Sequence, residues 1–148
     1  MRMILILPAL ALSGCSTPSF QGNSGPVATE VQVAPAPPPS AVTVEQFDTT
    51  TKEDRAAAVA DFLPGGAQPL GKTIASLGSP QEPGIWLKTP LVRDVTPGLV
   101  DYQGNRINVE LRPSGGEPGS GSQISLAAMR LIEAPLTSLP ELTVFGGL

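Results

Sequence analysis

The sequence predicts a mostly β protein: a small β-barrel with one short inserted helix, preceded by a signal peptide and a disordered tether. Three observations carry this. After Leu70, Gly and Pro cut the chain into short runs of strand length. Arg106-Ile107-Asn108-Val109-Glu110-Leu111-Arg112 alternates cleanly, which puts Ile107, Val109 and Leu111 on one face. The 17 prolines and 16 glycines of the 148 residues cluster, so only the last eighty or so residues are able to bury a core, near the lower limit for a stable domain.

The N-terminal segment has its own pattern. Met1-Arg2 is a short cationic start, Met3 to Leu12 is almost unbroken apolar sequence, and Leu12-Ser13-Gly14 places small residues before Cys15. This is the order of a secretory signal peptide. The apolar run is too short to stay as a membrane span, which needs about 20 residues. Leu-Ser-Gly-Cys resembles the lipobox of bacterial lipoproteins. The resemblance implies that Cys15, the only cysteine, is lipidated and becomes the first residue. Acyl chains bury about 0.8 kcal/mol per methylene, so several chains on one residue anchor stably. Ser16 in place of Asp implies an outer-membrane address in the bacterial cell envelope, facing the periplasm. From the residues alone, a free thiol or an intermolecular disulfide at Cys15 stays open.

Charge bounds the partners. Without Arg2 the nine basic residues become eight against thirteen acidic ones, a net of −5. No basic stripe is present, so nucleic acid is not expected as a partner. The membrane is expected to be reached through the lipid rather than through electrostatics. The sequence has no histidine, and no thiolate cluster exists to hold a metal. No cofactor and no metal site are expected.

Four segments follow: 1–14 as signal peptide, 15–42 as lipidated cysteine and Pro/Ala-rich tether, 43–69 as a short helix and loop, and 70–148 as the barrel. The run Ala34-Pro35-Ala36-Pro37-Pro38-Pro39 favours extended polyproline geometry, read as a spacer rather than a recognition motif. Thr50 with Glu53 fits a capping box for a helix through Ala60, ended by Pro64-Gly65-Gly66.

Strands are expected at 72–77, at 84–89 and, after a break at Thr96-Pro97-Gly98, at 99–102. Gln103-Gly104-Asn105 then turns into the alternating strand 106–112. Pro113 to Ser120 is a Gly-rich loop. Ser122 to Ser125 leads into a helix with Ser125 as N-cap and Leu126 to Ile132 as its body. A last strand runs from Leu139 to Phe145, with Leu142 and Val144 facing one way.

The C-terminal third resembles the second half of a double-psi β-barrel, that of the rare lipoprotein A family. The matching residues are Gly98-Leu99-Val100, Gly104 to Leu111, Ile124-Ser125-Leu126-Ala127-Ala128 and Leu142-Thr143-Val144. The resemblance implies a peptidoglycan-associated barrel whose catalytic acid follows the Val-rich strand. Here that strand exits into Arg112-Pro113-Ser114, with no Asp. Glycan cleavage needs a positioned acid, so the activity does not carry over. Val44 to Thr51 and Gly84 to Val92 also resemble small alphaproteobacterial envelope lipoproteins, some labelled galactarate dehydratase-like. That chemistry depends on a metal, for which the residues are missing.

Trp86 and Tyr102 are the candidate ligand surface, since aromatic rings stack on sugars. Arg112 and Arg130 are their candidate polar partners. Asp94, Asp101 and Glu110 are the acids that could meet on one rim. No catalytic residue is assigned. The expected function is non-catalytic binding or scaffolding at the envelope, with peptidoglycan or an envelope protein as partner. The alternative is an enzyme, either a divergent glycan-cleaving barrel or a lyase of the dehydratase-like kind.

Overall fold

The structure, a computed structural model, describes residues 34–60 and 66–147. The signal peptide, Cys15, the tether up to residue 33 and the Pro64-Gly65 stop lie outside the described residues. Those described all fall within one unit, Val31–Leu148.

Two short helices come first, α1 (Val44–Phe47) and α2 (Lys52–Val59). Each begins with a reciprocal cap. Thr43 caps α1 with Gln46, and Thr51 caps α2 with Asp54. The α2 box thus sits one residue later than the expected Thr50–Glu53 pair. Thr50 instead turns its hydroxyl back to Asp48, to which it donates at 2.5 Å. The next hydroxyl, Thr51, is free to accept from the Asp54 N–H at 3.0 Å.

Six strands follow: β1 (Gln68–Leu77), β2 (Trp86–Thr89), β3 (Thr96–Tyr102), β4 (Asn105–Pro113), β5 (Ser122–Ile124) and β6 (Glu141–Gly146), with α3 (Leu126–Leu131) between the last two. They close into a barrel in the order β1-β5-β2-β4-β3-β6. The expected mostly β barrel with an inserted helix is therefore the fold. Pairs β1–β5 and β2–β4 are parallel and the other four antiparallel. Exchanging β1 with β4, β2 with β5 and β3 with β6 leaves every neighbour and every direction unchanged. The barrel is built from two three-strand halves of the same plan.

Register can be followed once around. Thr143 faces Asp101, Thr96 faces Leu111, Leu111 faces Leu87, Leu87 faces Ile124, Ile124 faces Leu77, and Lys72 faces Thr143 again. Asp101 lies five residues after Thr96 and Lys72 five before Leu77, so the circuit closes with a stagger of ten residues. Six strands with that stagger are steeply tilted around a narrow, filled interior. The filling is the alternate set Ala75, Val100, Ile107, Val109, Leu111, Leu142 and Val144, joined by Leu87, Ile124 and Met129.

Two sequence expectations change. Thr96-Pro97-Gly98 is part of β3, not a break. Pairing of β3 with β6 begins only at Gly98, so Pro97 stands where one flank of the strand makes no ladder. Gly98 is required: a Cβ there would strike the Leu111 side chain and the Phe145 carbonyl. Ser122–Ile124 is a strand rather than a helix approach. It bonds to β1 and β2, and only from Ser125 does the chain turn helical. Ser125 is the N-cap as expected, accepting from the Ala128 N–H at 3.2 Å.

Residues 34–60 form a strap on the barrel. Ala34 and Ala58 are buried. Asn108 on β4 donates to the carbonyls of Ala57 and Ala60, which α2 would otherwise leave open at its C-terminal end.

Candidate functional site

A groove of about 440 Å³ runs along the outer face of β6. Odd positions of β6 point outward because the even ones, Leu142 and Val144, fill the core. Thr143 is thus the groove floor. Its register partners form the walls, Lys72 on β1 and Asp101 on β3. One end is closed by the β3–β4 turn at Tyr102 and Gln103, and by the approach to β6 at Leu139 and Pro140. The turn has two central residues, Gln103 and Gly104, both at positive φ (53° and 93°). That is the hairpin turn whose twist matches the flanking strands.

The charges along this face are ordered. Lys72 Nζ lies 2.9 Å from Glu141 Oε1, and both side chains are open, 68% and 61% exposed. Asp101 is the more enclosed acid. It accepts from Arg106 Nε at 2.7 Å and from the Gly104 N–H at 3.2 Å. The hydrogen bond from Arg106 holds the Asp101 carboxyl below the usual carboxylate range, aided by Gly104 and against the opposing push of burial.

Of the expected ligand residues, only Tyr102 lies in this groove. It is half-buried, with its ring packed on the core. Trp86 is elsewhere, on the β2–β4 side, and is fully buried. Gly78 packs against the edge of its indole; a Cβ there would press on the ring. Its Nε1 donates to the Glu82 carbonyl. Lys88 Nζ and Arg112 Cζ stand 4.9 and 5.3 Å from the ring centroid.

Both cations turn to the same carboxylate. Lys88 Nζ is 2.6 Å from Glu82 Oε2, and Arg112 is 4.0 Å away. Arg112 Nε also donates to Glu110 at 2.5 Å. Only the Lys88–Oε1 contact, at 2.7 Å, has hydrogen-bond geometry, so Oε2 is covered without a hydrogen bond of its own. The space above the indole is filled by the protein's own charges.

Arg130 is committed to a third place. It donates to Asp48 at 2.5 Å, and Arg55 approaches the same carboxylate at 3.8 Å. The Asp48 side chain is 2% exposed. This pair ties the strap to α3. Asp94, Asp101 and Glu110 do not meet on one rim. Asp94 is exposed on the β2–β3 loop, and Asp101 and Glu110 pair with Arg106 and Pro97, four register steps apart on the hairpin, roughly 13 Å along the strands. Among the described residues, no group of three or more His, Cys, Asp or Glu side chains is placed to hold a metal ion. Cys15 lies outside them.

Sequence reasoning passed over Lys72, Gln103, Thr143 and Glu141. Lys72 and Glu141 are 69 positions apart, and no local pattern announces that β1 and β6 are neighbours. Comparison of the chain with family models, with curated proteins and with solved structures finds no match.

Proposed function

We propose that this chain is a non-catalytic binding module of the bacterial envelope. In this reading Cys15 is lipidated and holds the protein at the outer membrane, facing the periplasm. The barrel presents the β6 groove to its partner, with peptidoglycan as the first partner to test and an envelope protein as the next.

The observation that carries the reading is the state of the groove's enclosed acid. A general acid must hold its proton near neutral pH, which requires a raised pKa. Asp101 instead accepts from Arg106 Nε at 2.7 Å and from the Gly104 N–H at 3.2 Å, two donors that favour its ionised form and lower its pKa. The groove instead offers fixed charge and hydrogen-bonding groups around a concavity, as a recognition surface does. Two halves of one plan also support the double-psi resemblance, since a second half of that kind implies a matching first.

The test is co-sedimentation of the chain with purified peptidoglycan sacculi, followed by analysis of the supernatant for released fragments. Binding without release is expected. Release of muropeptides would return the enzyme reading, and absence of binding would remove peptidoglycan as the partner.

A further inference from the structure

The geometry points to a peptide with a free zwitterionic end, rather than a sugar chain, as the ligand of the β6 groove. This rests on the binding-module reading and narrows it to one chemical class.

Stacking on a sugar ring needs an open aromatic face. Trp86 is fully buried under two cations and lies outside the groove. The ring the groove does have, Tyr102, is half-buried and packed against the core, so it offers only part of its surface. What the lip of the groove presents is a cation and an anion side by side. Lys72 and Glu141 are paired at 2.9 Å, yet each is more than half exposed. A pair so exposed contributes little to stability and opens cheaply.

An α-amino acid end carries an ammonium and a carboxylate on one carbon. Inserted at the lip, its carboxylate takes Lys72 and its ammonium takes Glu141. One exposed ion pair is thereby replaced by two. Both side chains are long and unpacked, so the few ångströms of separation this needs are available without moving the backbone.

The rest of the groove fits a peptide stem. Leu139, 67% exposed, offers apolar contact to methylene and methyl groups. The Thr143 hydroxyl on the floor and the Gln103 amide at the end offer donors and acceptors to amides. Asp101 is not the group that takes the ammonium. Its two oxygens are held by Gly104 and Arg106, and it fixes the turn that carries Gln103.

The experiment is amide NMR titration of the full chain with three probes. The first is the tripeptide L-alanyl-γ-D-glutamyl-meso-diaminopimelate, whose far end is zwitterionic. The second is the same peptide acetylated on that distal amine. The third is an N-acetylglucosamine tetramer. Shifts at Gln103, Leu139 and Thr143 are expected with the first probe. A roughly two- to fivefold weakening is expected on acetylation or in Lys72→Met and Glu141→Gln. Binding of the sugar tetramer in place of the peptide overturns the inference, as does peptide binding unaffected by either substitution, or no response to any probe. Sacculus binding that survives those results leaves the binding-module reading standing and identifies the peptide assignment as the part that failed.

Discussion

Two lysine–glutamate pairs on this barrel have nearly the same length and opposite character. Lys88 and Glu82 meet at 2.6 Å over the buried face of Trp86, with Arg112 beside them. Lys72 and Glu141 meet at 2.9 Å in the open, on the lip of the β6 groove. In the first pair, the lysine side chain is 29% and the glutamate side chain 40% exposed, and the ammonium stands 4.9 Å from the indole centroid. The pair is only partly open to water, so Coulomb attraction is less screened than on the groove lip, and the ring adds a cation–π contribution. The second pair is surrounded by solvent and is free to exchange partners. Separation alone does not tell a structural ion pair from a binding one; what lies beneath it does.

The largest effect expected from breaking this contrast is at Trp86. Trp86→Ala removes a fully buried indole and the surface on which Lys88 and Arg112 rest. A loss of about 3–5 kcal/mol in unfolding free energy is expected, read by chemical denaturation. A loss below about 1 kcal/mol would mean that the ring is not part of the core and that its charges form a separate layer. Trp86 is the single tryptophan, so unfolding of the unsubstituted chain can be followed by its own fluorescence.

Next comes the serine that holds Trp86 from behind. The buried Ser125 hydroxyl accepts from the Trp86 N–H at 3.1 Å and the Ala128 N–H at 3.2 Å. Ser125→Ala strands two buried donors and should cost about 1–3 kcal/mol. On the groove side, Ser138 donates to the Pro135 carbonyl at an exposed site. Ser138→Ala should stay within about 0.5 kcal/mol. Equal melting shifts for the two serines would erase the distinction between a closed side and an open one.

The closed side was the more legible in the sequence, and the reason is physical. Alternation in Arg106 to Arg112 gave the buried face of β4 directly, and Ser125 ahead of Leu126-Ala127-Ala128 gave the cap of α3, because both are local patterns. The chemistry of Trp86 marks it for a ligand surface, whereas its ring is covered. The covering groups Glu82 and Arg112 come from a loop and from a parallel strand, and their convergence has no local signature. Arg130 was assigned to the same surface, yet it meets Asp48, 82 residues away. The groove was the least legible part. It is made where β6 returns between β1 and β3, so its walls are set by barrel closure. The strap was half visible: its helix could be read from caps and helix formers, but the Asp48 clamp that seats it could not.

Double-mutant cycles on the two lysine–glutamate pairs sharpen the comparison further. For Lys88→Met and Glu82→Gln, a coupling of about 1 kcal/mol is expected, because partial burial and the indole both strengthen the pair. For Lys72→Met and Glu141→Gln, the coupling should be at most a few tenths of a kcal/mol and should vanish with added salt. Couplings of the same size would remove the argument that the groove pair is free to exchange.

The smallest effect concerns Asp101, the groove's enclosed acid, and it is a matter of sign. Its folded-state pKa lies below the ordinary carboxylate value, chiefly because Arg106 donates to it. The unfolded chain therefore takes up the proton more readily than the folded one. The stabilisation is fully present above the unfolded pKa of about 3.9 and is lost as pH falls through the depressed folded value. Arg106→Leu removes the main cause. In this variant, the Asp101 titration followed by NMR should move up toward the ordinary range, and acid unfolding should begin at a higher pH than in the parent chain. Above about pH 6 the pH dependence of the two proteins should run parallel, since Asp101 is ionised in both folded and unfolded states there. A titration that stayed depressed without Arg106 would shift the cause to the Gly104 N–H. The turn itself would then be the element that keeps this acid from holding a proton.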